Sequence, residues 1–164
     1  MKILKWLGIT IAIVSALIAL TIGGAVIYSP YHDGPIAMIP GGALVSGDLN
    51  SEEVTDWSFV ASIDTIEMQL IADDNRSRTT WILYHGGAAY IPVTLGFPPG
   101  KKWHRLAATN GPAVVRIGGT RYPVNLVKVE EEQSVATMDL VNRAKYPPAP
   151  GSDQGSWYFM LQHR

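Results

Sequence analysis

The 164-residue chain is 47% hydrophobic, carries a formal net charge of −1 and has no cysteine, a size that fits one domain plus an additional segment. The missing cysteine excludes thiolate nucleophiles, iron–sulfur clusters, thiolate zinc sites and disulfides, so stability has to come from packing. The small net charge gives no bulk attraction to nucleic acid, and none is expected as a partner.

The first element is an uncharged apolar run, Trp6–Ile27, of 22 residues. At about 1.5 Å per residue it spans about 33 Å, enough to cross a hydrocarbon core of about 30 Å. It is longer than the roughly 7–15-residue core of a cleaved signal, and only a weak Gly23-x-Ala25 resembles a cleavage site. Residues 1–28 therefore read as a single uncleaved signal anchor that meets the bilayer through residues 6–27. Lys2 and Lys5 precede the run and the first charge after it is Asp33. The positive-inside rule then puts the N-terminus in the cytoplasm and the remainder in the periplasm or outside the cell. Gly8, Ala12, Ser15 and Ala19 form a small-residue stripe of the kind that lets helices approach closely in lipid.

Residues 29–55 follow as an arm rich in Pro and Gly, with Pro30, Pro35, Pro40, Gly34, Gly41, Gly42 and Gly47. Its apolar residues Ile36, Met38, Ile39, Leu44 and Val45 favour an arm that orders on a surface, such as a partner's, over a free linker. Ser51 before Glu52 and Glu53 reads as the start of a short helical turn leading to Trp57.

Residues 56–164 carry the folded domain. Thr65–Ile71 alternates, with Ile66, Met68 and Leu70 on one face and Glu67 and Gln69 on the other, as a half-buried strand does. Asp73-Asp74-Asn75 is a turn. Two apolar runs, Thr79–Tyr84 and Ala88–Val93, flank His85-Gly86-Gly87, and two more, Ala113–Ile117 and Thr120–Val129, flank Gly118-Gly119. Both are hairpin signals, because a tight primed turn needs positive φ. Between the hairpins lie a Pro/Gly loop, Gly96–Gly100, and a basic aromatic segment, Lys101–Arg105, that reads as a short helix ending at Asn110-Gly111-Pro112. Glu130-Glu131-Glu132 opens a longer helix with acids at its positive end and Arg143 and Lys145 near its negative end. Val135 and Met138 lie on its apolar side, and Pro147-Pro148 ends it. Ser156–Gln162 is a final apolar strand. The expected architecture is mainly β with α: a six-stranded split β-barrel preceded by one N-terminal transmembrane helix.

Charge is segregated along this chain. Nine acids and no base fall between Asp33 and Asp74, whereas Asn75–Val129 holds eight bases and no acid. Two readings stand together: an acidic half wrapped on a basic half with charges paired across strands, and an anion-binding face on the barrel. His32, His85, His104 and His163 are far apart without ligand spacing, so no metal site is expected. The chain has no nucleophile elbow, P-loop or dinucleotide fingerprint, and its catalytic residues are unknown from sequence.

The motifs Arg78-Thr79-Thr80-Trp81, Gly86–Ile91, Lys101–Leu106, Gly111–Val114, Arg116–Tyr122 and Trp157–Leu161 stand in an order that resembles the pyridoxamine-phosphate-oxidase-like split-barrel superfamily. Within it the likeness is to the branch of deazaflavin-dependent nitroreductases, from about Asp56 onward. The resemblance implies that a cofactor phosphate is held by Arg78, Thr79 and Thr80 on one strand and by Lys101, Lys102 and Arg105 on the connector, with Trp103 flanking an isoalloxazine-type ring. The alternative is that Trp103 plugs the barrel end while Lys101, Lys102 and Arg105 are solvated. An anchored chain is threaded unfolded through the translocon, and no twin-Arg signal exports it folded, so a flavin would have to be acquired outside. That favours a barrel without cofactor, acting as an accessory or docking subunit of a larger integral-membrane complex. In this role the arm and the aromatic C-terminal strand would serve as docking surfaces. The alternative is an FMN- or deazaflavin-dependent, nitroreductase-like oxidoreductase.

Overall fold

The computed structural model describes residues 2–164, with side chains from Lys5 onward; Met1 of the expected anchor lies outside the described residues. Helix α1 runs Lys2–Tyr28. Its side chains from Lys5 on are exposed almost throughout, and it is long and apolar enough to cross a membrane. A helix that is apolar all round and lies against nothing has no place in a water-soluble core.

Seven antiparallel strands follow, β1 (Thr65–Leu70), β2 (Ser77–Trp81), β3 (Leu83–His85), β4 (Ala88–Thr94), β5 (Pro112–Ile117), β6 (Thr120–Lys128) and β7 (Ser156–His163), with helices α2 (Trp103–Thr109) and α3 (Glu132–Lys145). The expected class stands, with seven strands in place of six. The apolar run Thr79–Tyr84 is not one strand; it breaks at Ile82 into β2 and β3. The strand order β2-β1-β5-β6-β7-β4-β3 gives the reason. β2 and β3 form the two opposite edges of the sheet, yet only Ile82 separates them in the chain. The sheet must therefore curl until its edges meet, and the seam between them is the split in the barrel.

The seam is stitched by the end of α3. The Ile82 N–H donates to Tyr146 Oη at 3.2 Å, while the Tyr146 hydroxyl lies 2.6 Å from the Ile82 and Asp64 carbonyls. Lys145 Nζ donates to the Ile63 and Ile82 carbonyls at 2.5 and 3.0 Å. Trp81 stacks on Tyr146 with ring centroids 4.7 Å apart. These contacts satisfy backbone groups that the interrupted ladder leaves open.

Both glycine turns are as expected. Gly86 and Gly87 have φ of 58° and 84°, and Gly118 and Gly119 have 58° and 87°, the conformation of a two-residue primed turn. Asp74 and Asn75 adopt the same hand at φ 48° and 56°, closed by the Arg76 N–H on the Asp73 carbonyl at 2.8 Å. The main core fills the barrel interior with Met68, Leu70, Ile91, Val115, Val124 and Phe159, and Trp57, Trp103 and Ala107 close over it. A second cluster, Leu83, Met138, Tyr146 and Tyr158, lies under α3, with Val135 packed against it. β7 thus has both faces covered and pairs with β6 and β4 on its two sides. That accounts for its unbroken apolar sequence.

Residues 29–55 do not hang free. The expected turn at Ser51–Glu53 forms instead at Ser58–Val60, where the Asp56 carboxylate accepts from the Ser58 N–H at 2.9 Å and its hydroxyl at 2.8 Å. The arm upstream lies on the chain's own barrel. Gly41 pairs with Ser77 along the free edge of β2, and Leu49 pairs with Arg121 of β6. Leu44 is buried, and its N–H donates to the side-chain Oε1 of the buried Gln69 at 2.8 Å. Gly41 is required here, since a Cβ at that position would come within 1.7 Å of the Gly34 carbonyl oxygen.

Candidate functional site

Strand β2 and the N-terminus of α2 carry the residues expected to bind a cofactor. Register with β1 places Thr79 opposite Glu67 and Thr80 opposite Ile66. Alternation then turns Arg78 and Thr80 to one face and Thr79 to the other. The Arg78 side chain, 15% exposed, is ion-paired with Asp73 and lies 5.2 Å from the centre of the Trp103 ring. Burial lowers its pKa; the Asp73 carboxylate opposes that shift, and the nearby Arg76 adds to it. The Arg78 Nε is buried without a partner. Thr79 donates its hydroxyl to the Ala37 carbonyl of the arm at 3.1 Å.

On the connector, Lys101 turns back to donate Nζ to the Thr94 and Phe97 carbonyls, and burial lowers its pKa. Trp103 is 8% exposed and tilted against Phe159 at 6.1 Å. Lys102 and Arg105 are exposed to solvent. The fold therefore joins Arg78 to Trp103, bonds the exposed Thr79 to the arm, ties Lys101 into its own loop, and leaves Lys102 and Arg105 outside. A phosphate placed at the orphaned Arg78 Nε would face the Asp73 carboxylate already there. Of the seven residues, the fold thus brings Arg78 and Trp103 into contact and places the others at separate partners or toward solvent.

Sequence reasoning missed His104, which is 5% exposed. Its ring meets Trp157 edge-on at 5.1 Å, and its Nδ1 is buried without a partner. Burial, then Lys101 and Arg105, lower its pKa, which favours the neutral ring. A histidine directly after a barrel-plugging tryptophan was the only available signal. Also unforeseen is a groove of about 470 Å³ between the end of β6, the β3–β4 hairpin and the start of α3. His85, Val127, Glu131, Met138 and Met160 are among the residues that line it, and none of the seven expected site residues does. The run Glu130–Glu132 marked it in sequence but read only as a helix start. Among the described residues no cluster of His, Asp or Glu is arranged to hold a metal ion.

The strongest electrostatic centre lies under the arm. Arg116 of β5 donates from Nε to Glu67, from Nη1 to Asp33 at 2.9 Å, and from Nη1 to the Ser46 hydroxyl at 2.9 Å. Asp33 also accepts the N–H groups of Val45 and Ser46 at 2.9 and 3.2 Å. Desolvation pushes the Asp33 carboxyl up, but the bonds from Ser46, Val45 and Arg116 outweigh it and hold the pKa at about 2. The hydrogen bond with Glu67 raises the Arg116 pKa, against burial, and Asp33 adds to the rise. Here the acidic half does pair with the basic half, in partly desolvated surroundings where such bonds are stronger than at an open surface.

No protein-family model matches the chain, and no curated protein does. A solved structure described as an F420 reductase overlaps with a TM-score of 0.40 at 14% identity, covering 66% of this chain and 93% of that one. Overlap at that level assigns neither family nor activity.

Proposed function

We propose that the chain is a membrane-anchored accessory or docking subunit: a split barrel held outside the cytoplasm and presented to a larger integral-membrane complex. The observation that carries this reading is the way the arm joins the barrel to the anchor. Arg76 in the β1–β2 turn donates to the Pro40 carbonyl and, at 3.4 Å, to the hydroxyl of Ser29, the first residue after α1. Ser29 itself is 1% exposed. Together with the Asp33–Arg116–Glu67 bonds, this fixes the barrel at the mouth of the anchor. A partner reached by such a barrel shares the same membrane, where tethering raises its effective concentration. Tyr31, Met38 and Val45 of the arm stay exposed at 84%, 77% and 64% and supply apolar contact area. The commitment of Arg78, Lys101 and Trp103 to internal contacts fits a barrel that works without a phosphate-bearing cofactor.

The test is photo-crosslinking in intact native membranes from position 38, with position 152 as control, followed by mild-detergent extraction and sizing. The expected result is one membrane-protein adduct from position 38. A monodisperse monomer without adduct refutes the proposal. The meeting of Arg78 and Trp103 favours a second reading, a flavin- or deazaflavin-dependent oxidoreductase of nitroreductase type. It requires a visible absorption band in protein taken from its native membrane, lost in Arg78→Ala.

A further inference from the structure

At the junction of anchor and barrel there is a cation that the fold does not neutralise. Four charges converge on the β1–β2 turn, Asp73, Asp74, Arg76 and Arg78, and Asp74 is exposed without an ion-pair partner among the described residues. Asp73 is spent on Arg78. Asp33 of the arm and Glu67 of β1 are ion-paired with Arg116. Among the described residues Arg76 has no acidic partner within 4.0 Å. Its Nη2 holds Ser29 and Pro40. Among the described residues its Nε and Nη1 make no hydrogen bond, and neither is a buried orphan atom.

The depth of this guanidinium follows from the anchor. This step rests on the reading that α1 spans a bilayer. If Trp6–Ile27 fills the hydrocarbon, Ser29 lies about 3–4 Å beyond it. The headgroup layer extends about 5–7 Å on each side of the core. A guanidinium 3.4 Å from Ser29 Oγ then lies no more than about 7 Å from the hydrocarbon edge, at headgroup level. Tyr28 and Tyr31, exposed at 57% and 84%, flank it as interfacial aromatics do. With Nη2 held by Ser29 and Pro40, the diverging Nε–H and Nη1–H donors at headgroup depth can each give one charge-assisted hydrogen bond to a phosphate oxygen.

We infer that Arg76 binds a phosphate oxyanion at the anchor–barrel junction, the phosphate being that of a phospholipid headgroup, which clamps the barrel's orientation to the bilayer. The full chain, with arginines carrying ¹⁵N in the guanidinium, is reconstituted in phosphatidylcholine vesicles in phosphate-free buffer. ¹⁵N–³¹P dipolar dephasing is then measured by solid-state NMR, with lipid as the only source of phosphorus. The expected result is dephasing in the wild type that falls to background in Arg76→Lys and persists in Arg143→Lys. Circular dichroism melts establish that Arg76→Lys is folded. If it is not, Ser29→Ala, which loosens Arg76 from the junction, must reduce the dephasing for the inference to stand. A second arm uses a phosphorus-free maltoside detergent with added inorganic phosphate. Dephasing there but not in vesicles overturns the headgroup assignment, and dephasing in neither overturns the site. Spanning is checked separately in the cysteine-free chain. Ile18→Cys must resist a water-soluble maleimide in vesicles that labels Ser152→Cys. If Ile18→Cys is protected and Arg76 shows no dephasing, the inference alone fails; if Ile18→Cys reacts, the anchor reading fails with it.

Discussion

Replacing Asp33 by Asn tests whether the arm is held by charge. In the folded chain the Asp33 carboxyl is held at about 2, against an ordinary 3.8, and its side chain is 29% exposed. A shift of one unit corresponds to about 1.4 kcal/mol, so the undiscounted linkage is about 2.5 kcal/mol. Partial exposure screens part of it, leaving about 1–2 kcal/mol. Because the folded pKa is depressed, this stability is fully present above the unfolded value of 3.8 and is lost as pH falls through about 2. Thermal unfolding of the full chain in detergent micelles at pH 7 should show Asp33→Asn melting roughly 3–8 °C below wild type. Between pH 5 and pH 2 the two should converge, since the variant has no carboxyl there to protonate. Limited proteolysis should also cut the variant faster within residues 45–56, where the arm loses its hold. Equal melting temperatures at pH 7, or parallel pH profiles from 5 to 2, would refute the reasoning and reduce the pair to a surface contact.

Three further outcomes follow from the same geometry. Tyr146→Phe removes the hydroxyl that accepts from the Ile82 N–H at the seam, and should cost about 1–3 kcal/mol in urea unfolding, with faster amide exchange at Ile82 than at Val115. Gly41→Ala drives a Cβ against the Gly34 backbone and should release the arm, read as protease sensitivity within residues 34–50 while the melting of β5 and β6 is retained. Met138→Ala opens a cavity under α3 and should cost about 2–5 kcal/mol, with Leu140→Ala, at 69% exposure, as the near-neutral control.

What was legible in the sequence was local. The apolar length of Trp6–Ile27, the paired glycines at 86–87 and 118–119, the alternation in Thr65–Leu70 and the acid-to-base gradient along α3 each report a backbone preference or a periodicity that neighbouring residues alone impose. Mainly-β class, two hairpins and an N-terminal apolar helix followed from those. The split of Thr79–Tyr84 at Ile82 did not, because it arises only when the two sheet edges meet and Tyr146, 64 residues away, replaces the missing ladder bonds. The site was less legible still. The residue types at Arg78 and Lys101 suit a phosphate, but whether a cation is free depends on which carboxylates and carbonyls the fold brings to it. Tertiary structure pairs Arg78 with Asp73, Lys101 with its own loop and Arg116 with Asp33, 83 residues distant, and leaves Arg76 without an ion-pair partner among the described residues, beside the N-terminal apolar helix. Composition sets how many charges a chain has; long-range pairing decides which of them remain available.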